Sequence, residues 1–309
     1  MCSSDLYHGI QSYAVNDGTM SNKGFEMGVY GRILNSALKW DMGINISRYK
    51  NEITDMSVND IVTQIAGANI LTSVGSPAGR FYGYKTDETN GTVFASSDAA
   101  TAAGLNIMRG DGTLIPFRSG DIRFVDLHED GIIDERDMTV IGDPNPDFFG
   151  SITNRLQWKR LTLNVIFTYS YGNDVYNAVR ASVESMSGPE NQTQRAINRW
   201  NREGHITAMP RAEWGDPMGN TRFSDRWIED GSYIRLKNMS LSYDIPIPAR
   251  LNFITGVQVY VTSNNLLTFT KYLGYDPEFS ALPTPLAYGI DMGMSPIPRS
   301  VLFGIKLGL

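Results

Sequence analysis

The sequence predicts an all-β, antiparallel fold of long strands, arranged as a transmembrane β-barrel. Three observations carry this. Apolar and polar residues alternate with a period of two over stretches of about ten residues, the length of a tilted bilayer crossing. Aromatic residues stand near the ends of those stretches (Tyr49, Trp158, Tyr169, Tyr171), where a membrane interface holds them. Connections alternate between very short ones, at Asn35 and Lys159, and very long ones, notably residues 173–232. A soluble β-sandwich, with its apolar faces meeting in a core, produces the same alternation. Strand length, aromatic placement and turn asymmetry favour the barrel.

The first element is a hairpin over residues 23–53. Phe25, Met27, Val29 and Ile33 share one face of its first arm, against Glu26, Gly28, Tyr30 and Arg32. After a turn near Asn35 and Ser36, Leu38, Trp40, Met42, Ile44 and Ile46 share a face against Lys39, Asp41, Asn45 and Ser47. A second hairpin covers residues 151–174. Ile152, Leu156 and Trp158 form one apolar row, and Leu161, Leu163, Val165, Phe167, Tyr169 and Tyr171 the next. Residues 233–245 change parity, from Ile234 and Leu236 to Met239, Leu241, Tyr243 and Ile245. A β-bulge near Lys237 or Asn238 restores a single face. Val257, Val259 and Val261, then Val301, Phe303, Ile305, Leu307 and Leu309, complete the series, for about nine or ten strands in all.

Bulk properties narrow the function classes. The chain has 309 residues, 41% hydrophobic and 19% charged, within the range of folded proteins. A net charge of −6 with scattered Lys and Arg gives no basic stripe, so no nucleic-acid partner is expected. Cys2 is the only cysteine, which excludes a disulfide framework and a thiolate zinc site. No apolar run reaches the roughly 18 residues of a membrane helix. The N-terminus has no signal-peptide pattern, so export would be specified by sequence outside this chain. The carboxylate pairs Asp87/Glu88 and Glu229/Asp230 are adjacent, hence on opposite faces of any strand. With no histidine nearby, no enzyme activity is expected.

Two regions are candidate sites. The stretch "DLHEDGIIDERD" fits a calcium loop, in which oxygen ligands recur at alternate positions around a glycine turn. The predicted ligands are Asp126, His128, Asp130, the Ile132 carbonyl, Asp134 and Asp137, with Gly131 at the turn and Ile133 pinning the loop. His128 offers nitrogen where calcium prefers oxygen, and Asp137 is shorter than the usual bidentate Glu. The alternative is a solvated turn whose Asp side chains cap backbone amides. A bound ion would stiffen a long extracellular excursion just before the strand that begins near Phe149. The second region, residues 173–232, holds a predicted short helix, residues 193–202, ended by Gly204. It also holds Trp200, Trp214 and Trp227 among polar residues, as candidate contacts for a sugar or peptide ligand or as ordinary half-buried loop aromatics.

Several long blocks then carry a family resemblance. "YAVNDGTMSNKGFEM" leads into "LKWDMGINISRYKNEI", followed by "DGIIDERDMTVIGDPNPDFFGSITNRLQWKRLTLNVIFTYSYGNDVYN", "DRWIEDGSYIRLKNMSLSYDIP" and "VYVTSNNLLTFTKYLGYDPE". In this order, over residues 13–309, they resemble the C-terminal part of SusC/RagA-family TonB-dependent outer-membrane transporters. Residues 1–12 form an unassigned lead. The resemblance implies a barrel of about 22 strands around an N-terminal plug, of which this chain would supply a C-terminal portion without plug, TonB-contacting segment or signal peptide. It implies a SusD-like surface lipoprotein as lid, TonB as energy source, outer-membrane lipid around the wall, and oligosaccharides or peptides as cargo. In such barrels the final strand serves as the assembly signal, which would place that role on "VLFGIKLGL" through Phe303 and Leu309.

Overall fold

The structure is a computed structural model that describes residues 18–58, 60–248, 253–278 and 287–308. Seven long strands form one sheet, each antiparallel to its neighbours in chain order. They are Thr19–Asn35, Leu38–Asp55, Phe148–Trp158, Leu161–Tyr171, Tyr233–Ile245, Gly256–Thr270 and Ser300–Gly308. The expected nine or ten strands reduce to these seven, among the described residues, because the other strands join three smaller sheets. The sheet is open, and its edges are the first and seventh strands. Residues 1–17 and Leu309 lie outside the described residues.

Side chains directly opposite across a ladder share a face, so the register shows what each face presents. One row runs Val29, Ile44, Ile152, Phe167, Leu236, Leu267. Another runs Trp40, Leu156, Leu163, Leu241, Val261, Phe303. The opposite face carries Arg32, Asp41, Arg155, Asn164, Ser240 and Thr262 in a single row. The predicted bulge is present. Register shifts on both sides of the fifth strand leave Lys237 unpaired between Leu236 and Asn238, which keeps Leu236 and Met239 on the apolar face.

Among the described residues, nothing covers the apolar face over much of its area. Val29, Ile305 and Phe303 are 60%, 69% and 83% exposed. Its polar intrusions are few. The Asn154 amide oxygen accepts the Trp40 indole N–H at 3.1 Å, so that intrusion is paired. Aromatics gather at its upper end, where Phe148 stacks on Tyr171 with centroids 4.9 Å apart and meets the Tyr169 edge at 6.3 Å. Trp158 stands at the opposite end. Tyr49, expected in this belt, is on the polar face instead, edge-on to Phe149 at 5.9 Å. The reason is parity: the apolar row of its strand is even-numbered.

All short connections lie at one end of the sheet: residues 36–37, 159–160 and 246–255. All long ones leave from the other: residues 56–147, 172–232 and 271–299. These three excursions fold on one another into a crown, and the hydrophobic core lies there rather than on the sheet. One cluster joins Ile70 and Phe81 of the first excursion to Tyr176, Phe223 and Trp227 of the second and Ile290 of the third. A second joins Phe94, Phe117, Phe124 and Ile133 to Met218. The predicted helix over 193–202 is a single 3-10 turn, Gln194–Asn198. Thr193 gives it no side-chain cap, and Arg199 returns to extended backbone. Two short helices, Ser97–Ala103 and Ala178–Val183, were not anticipated; Ser96 and Asn177 cap them.

Candidate functional site

The polar face of the sheet is held together side chain to side chain. Tyr30 Oη donates to Asn45 Oδ1 at 2.8 Å, and Asn45 Nδ2 to Ser151 Oγ at 3.3 Å. Asn238 Nδ2 donates to Asn264 Oδ1 at 2.8 Å, and Asn264 Nδ2 to Ser300 Oγ at 3.1 Å. Arg32 and Asp41 pair across the first hairpin at 2.7 Å. Such lateral bonding satisfies neutral polar groups without requiring the core of a soluble protein.

The crown holds two hollows, the first of which meets this face. One, of about 310 Å³, is lined by Ser170, Asn173, Tyr233, Glu278 and Tyr288 with Pro144 and Pro277. The other, of about 350 Å³, opens between the second and third excursions. Val179, Arg180, Glu184 and Arg195 stand on one side, and Leu273, Gly274 and Tyr275 on the other. Its arginine wall is prearranged. Arg180 pairs with Glu184 at 3.2 Å one helical turn on, and also with Glu229. Arg180 and Arg226 lie over Trp227 at 5.4 and 4.6 Å. Burial, with Arg180 adjacent, lowers the Arg226 guanidinium to about 10. Glu229 also accepts Asn177 Nδ2 and the Leu273 amide, so it joins the second excursion to the third.

The three tryptophans part company. Trp227 is 1% exposed, its indole N–H given to the Arg222 carbonyl, so it is core and not a ligand contact. Trp200 is half-buried and donates to the Ala95 carbonyl at 3.0 Å. Trp214 is 75% exposed on the crown and is the one of the three free to meet another molecule.

The acidic loop is closed by its own chain. Asp126 Oδ2 accepts the Gly131 amide at 2.7 Å, and Asp130 the Ile132 amide at 3.0 Å. Asp137, 1% exposed, accepts the amides of Leu127, His128 and Asp134 at 2.8, 3.2 and 2.9 Å. The Arg136 guanidinium joins Asp130 at 2.6 Å and Asp134 at 2.7 Å, and its hydrogen bonds hold the Asp134 carboxyl below the usual carboxylate range. Asp126 Oδ1 is the loop's one buried oxygen without a hydrogen-bond partner among the described residues. Among the described residues, no group of three or more His, Cys, Asp or Glu is arranged to hold a metal ion. The predicted set of Asp126, His128, Asp130, Ile132, Asp134 and Asp137 therefore does not fit calcium in this conformation. The cation between Asp130 and Asp134 is Arg136, and Asp137 is committed to backbone amides. The loop docks on the crown through Ile133 and through backbone bonds between Asn106 and both Gly131 and Ile133, each at 2.8 Å.

No family model matches the chain. TonB-dependent receptor P3 of Formosa agariphila is 32% identical over 324 residues, which is 97% of this chain and 30% of that receptor. TonB-dependent receptor SusC of Bacteroides thetaiotaomicron is 25% identical over 297 residues, 95% of this chain and 27% of that receptor. Over nearly its whole length, the chain is a relative of the SusC-like TonB-dependent receptors. It spans less than a third of the length of the curated relatives it matches. Among solved structures, the RagAB peptide transporter superposes with a TM-score of 0.77 at 23% identity, over 99% of this chain and 31% of that one. The RagAB peptide importer in its open-open state gives 0.71 at 24% identity, over 100% and 31%. That likeness fixes the fold: the chain has the strand arrangement of a stretch of those structures. No helix among the described residues is long and apolar enough to cross a membrane, which leaves crossing by strands open.

Proposed function

We propose that this chain forms part of the wall and the extracellular crown of an outer-membrane TonB-dependent importer, and stands in the C-terminal part of that receptor's barrel. One observation carries the reading. A single sheet presents an apolar face that the described residues leave exposed and a polar face bonded laterally, with every long excursion at one end. Lipid suits the first face and a wet lumen the second. A soluble sandwich would require a second layer over Val29, Ile305 and Phe303, and the buried clusters lie in the crown instead. In this reading a SusD-like lipoprotein caps the crown, where Trp214 is exposed. TonB acts through another part of the receptor, and the cargo is an oligosaccharide or a peptide. The names of the relatives, receptors and an importer, support transport over catalysis.

The test is to express the full receptor carrying this chain and fractionate the cells. It should sediment with outer membranes and migrate faster on a gel before boiling than after. A product that remains dissolved without detergent overturns the proposal.

A further inference from the structure

The third excursion does not simply arch over the crown; residues 272–278 turn back against the polar face of the sheet. Arg235 stands on that face between Thr168 and Thr268, in the strand register, and is 1% exposed. Its guanidinium pairs with Asp276 and, at 3.4 Å, with Glu278, and it lies over the Tyr233 ring at 5.5 Å. Lys237, the residue extruded by the bulge, reaches Glu278 at 3.2 Å. Asp276 in turn accepts the amides of Glu278 at 2.9 Å and Ile297 at 3.1 Å, so one carboxylate joins the wall to both arms of the excursion. Gly274 is required for the close fold, since a Cβ there would lie 2.3 Å from the Tyr272 ring. The other side of the same segment is the wall of the 350 Å³ cleft, with Tyr275 77% exposed and facing Val179, Arg180 and Arg195 across the opening.

We propose that residues 272–278 are a strap latched to the inner wall by Arg235, and that this latch, acting with the Glu229 carboxylate that accepts the Leu273 amide, sets the width of the cleft between the second and third excursions. Both carboxylates that neutralise Arg235 come from the strap. If the strap lifted part-way, a buried guanidinium would be left facing the wall without a counter-charge, so the strap is seated or released with little between. Lys237 adds a second, half-exposed tie to the same strap, one turn of the pleat nearer the sheet's middle. The bulge therefore has two effects: it corrects the parity of the fifth strand and it aims this lysine at the strap. The proposal rests on the assignment of the polar face to the lumen only for its biological meaning; the strap's position is a property of this chain.

The experiment uses the full receptor carrying this chain, with Cys2→Ser, and spin labels at Val179→Cys and Tyr275→Cys on the two lips of the cleft. The expected result is one narrow distance distribution, which Arg235→Met broadens and lengthens. Trypsin cleavage after Lys271 should rise at least about tenfold in that variant, a conservative bound for breaking a buried pair. Arg235→Lys should restore part of the narrow distribution. Heat-dependent gel migration of each variant reports whether the barrel is intact. If Arg235→Met prevents assembly, Asp276→Asn with Glu278→Gln breaks the latch from the strap side, with the same readouts expected. An unchanged narrow distribution and unchanged cleavage in an assembled variant overturn the latch. Failure of the wild-type receptor to reach the membrane would instead overturn the importer reading, and leaves the distance measurement to judge the latch by itself.

Discussion

Asp137 is the residue on which the acidic loop depends. A buried carboxylate that accepts three backbone amides leaves all three unmet when it is removed. Asp137→Ala should therefore destabilise the crown by about 2 kcal/mol or more, read by chemical unfolding. Calcium or a chelator should leave the wild-type midpoint unmoved, because Arg136 already serves Asp130 and Asp134; a calcium-dependent midpoint would restore the metal reading. Protonation supplies a second residue-scale prediction. Burial raises the carboxyls of Asp121, Asp174 and Asp225. For these groups the folded crown binds protons more readily than the unfolded chain. Their contribution is fully present below the ordinary carboxylate value and is lost as pH rises through the raised folded one. Glu203 is opposite: hydrogen bonds from Ser119 and Ser97 lower it, and its contribution is lost as pH falls. The crown's melting temperature should rise as pH drops from neutral toward the carboxylate range and fall below it. Asp121→Asn should flatten the first limb; an unchanged limb would remove Asp121 from this account. At this scale the sequence exposed the spacing of the carboxylates and not their partners. A neighbouring guanidinium and a calcium ion satisfy the same oxygens, and spacing does not distinguish them. Trp200, Trp214 and Trp227 looked equivalent for a related reason, since burial is decided by distant chain.

At the scale of the element, alternation was a dependable guide. A period of two leaves each strand only two ways to face, and seven strands in register agree on one. Even the bulge at Lys237 could be read from the change of parity. Tyr49 was misplaced because proximity to a strand end was weighed above parity, which puts it beside Phe149 on the polar face. Close approach between strands was not legible. At Gly150 a Cβ would lie 2.0 Å from the Asn45 carbonyl oxygen and 2.7 Å from the Tyr169 hydroxyl, which donates to that same carbonyl. Gly31, by contrast, has nothing within 4 Å of such an atom. Gly150→Ala should cost about 1–3 kcal/mol through forced separation of the second and third strands, while Gly31→Ala should be close to neutral. Equal effects at the two positions, measured by unfolding in detergent micelles, would refute the packing argument.

At the scale of the whole molecule, the sheet and the crown follow different physics. Phe303 is the most exposed of the sheet's apolar side chains in the seventh strand, and under the proposed importer reading a charge there would face hydrocarbon. Phe303→Asp in the full receptor, alone or with Leu309→Asp, should block membrane assembly while leaving synthesis intact. Normal surface levels would count against both the lipid assignment and the assembly role. Sequence by itself determined the wall: which residues face which way, where the short turns fall, and that one face must be covered by something apolar. Those are local properties, set by backbone geometry that repeats every two residues. Only the tertiary structure decided the crown, namely which excursions share a core, that Arg136 closes the acidic loop, and that Arg235 holds residues 272–278 against the wall. Those contacts join residues far apart in the chain with no period linking them, so their energy exists only once the chain has brought them together.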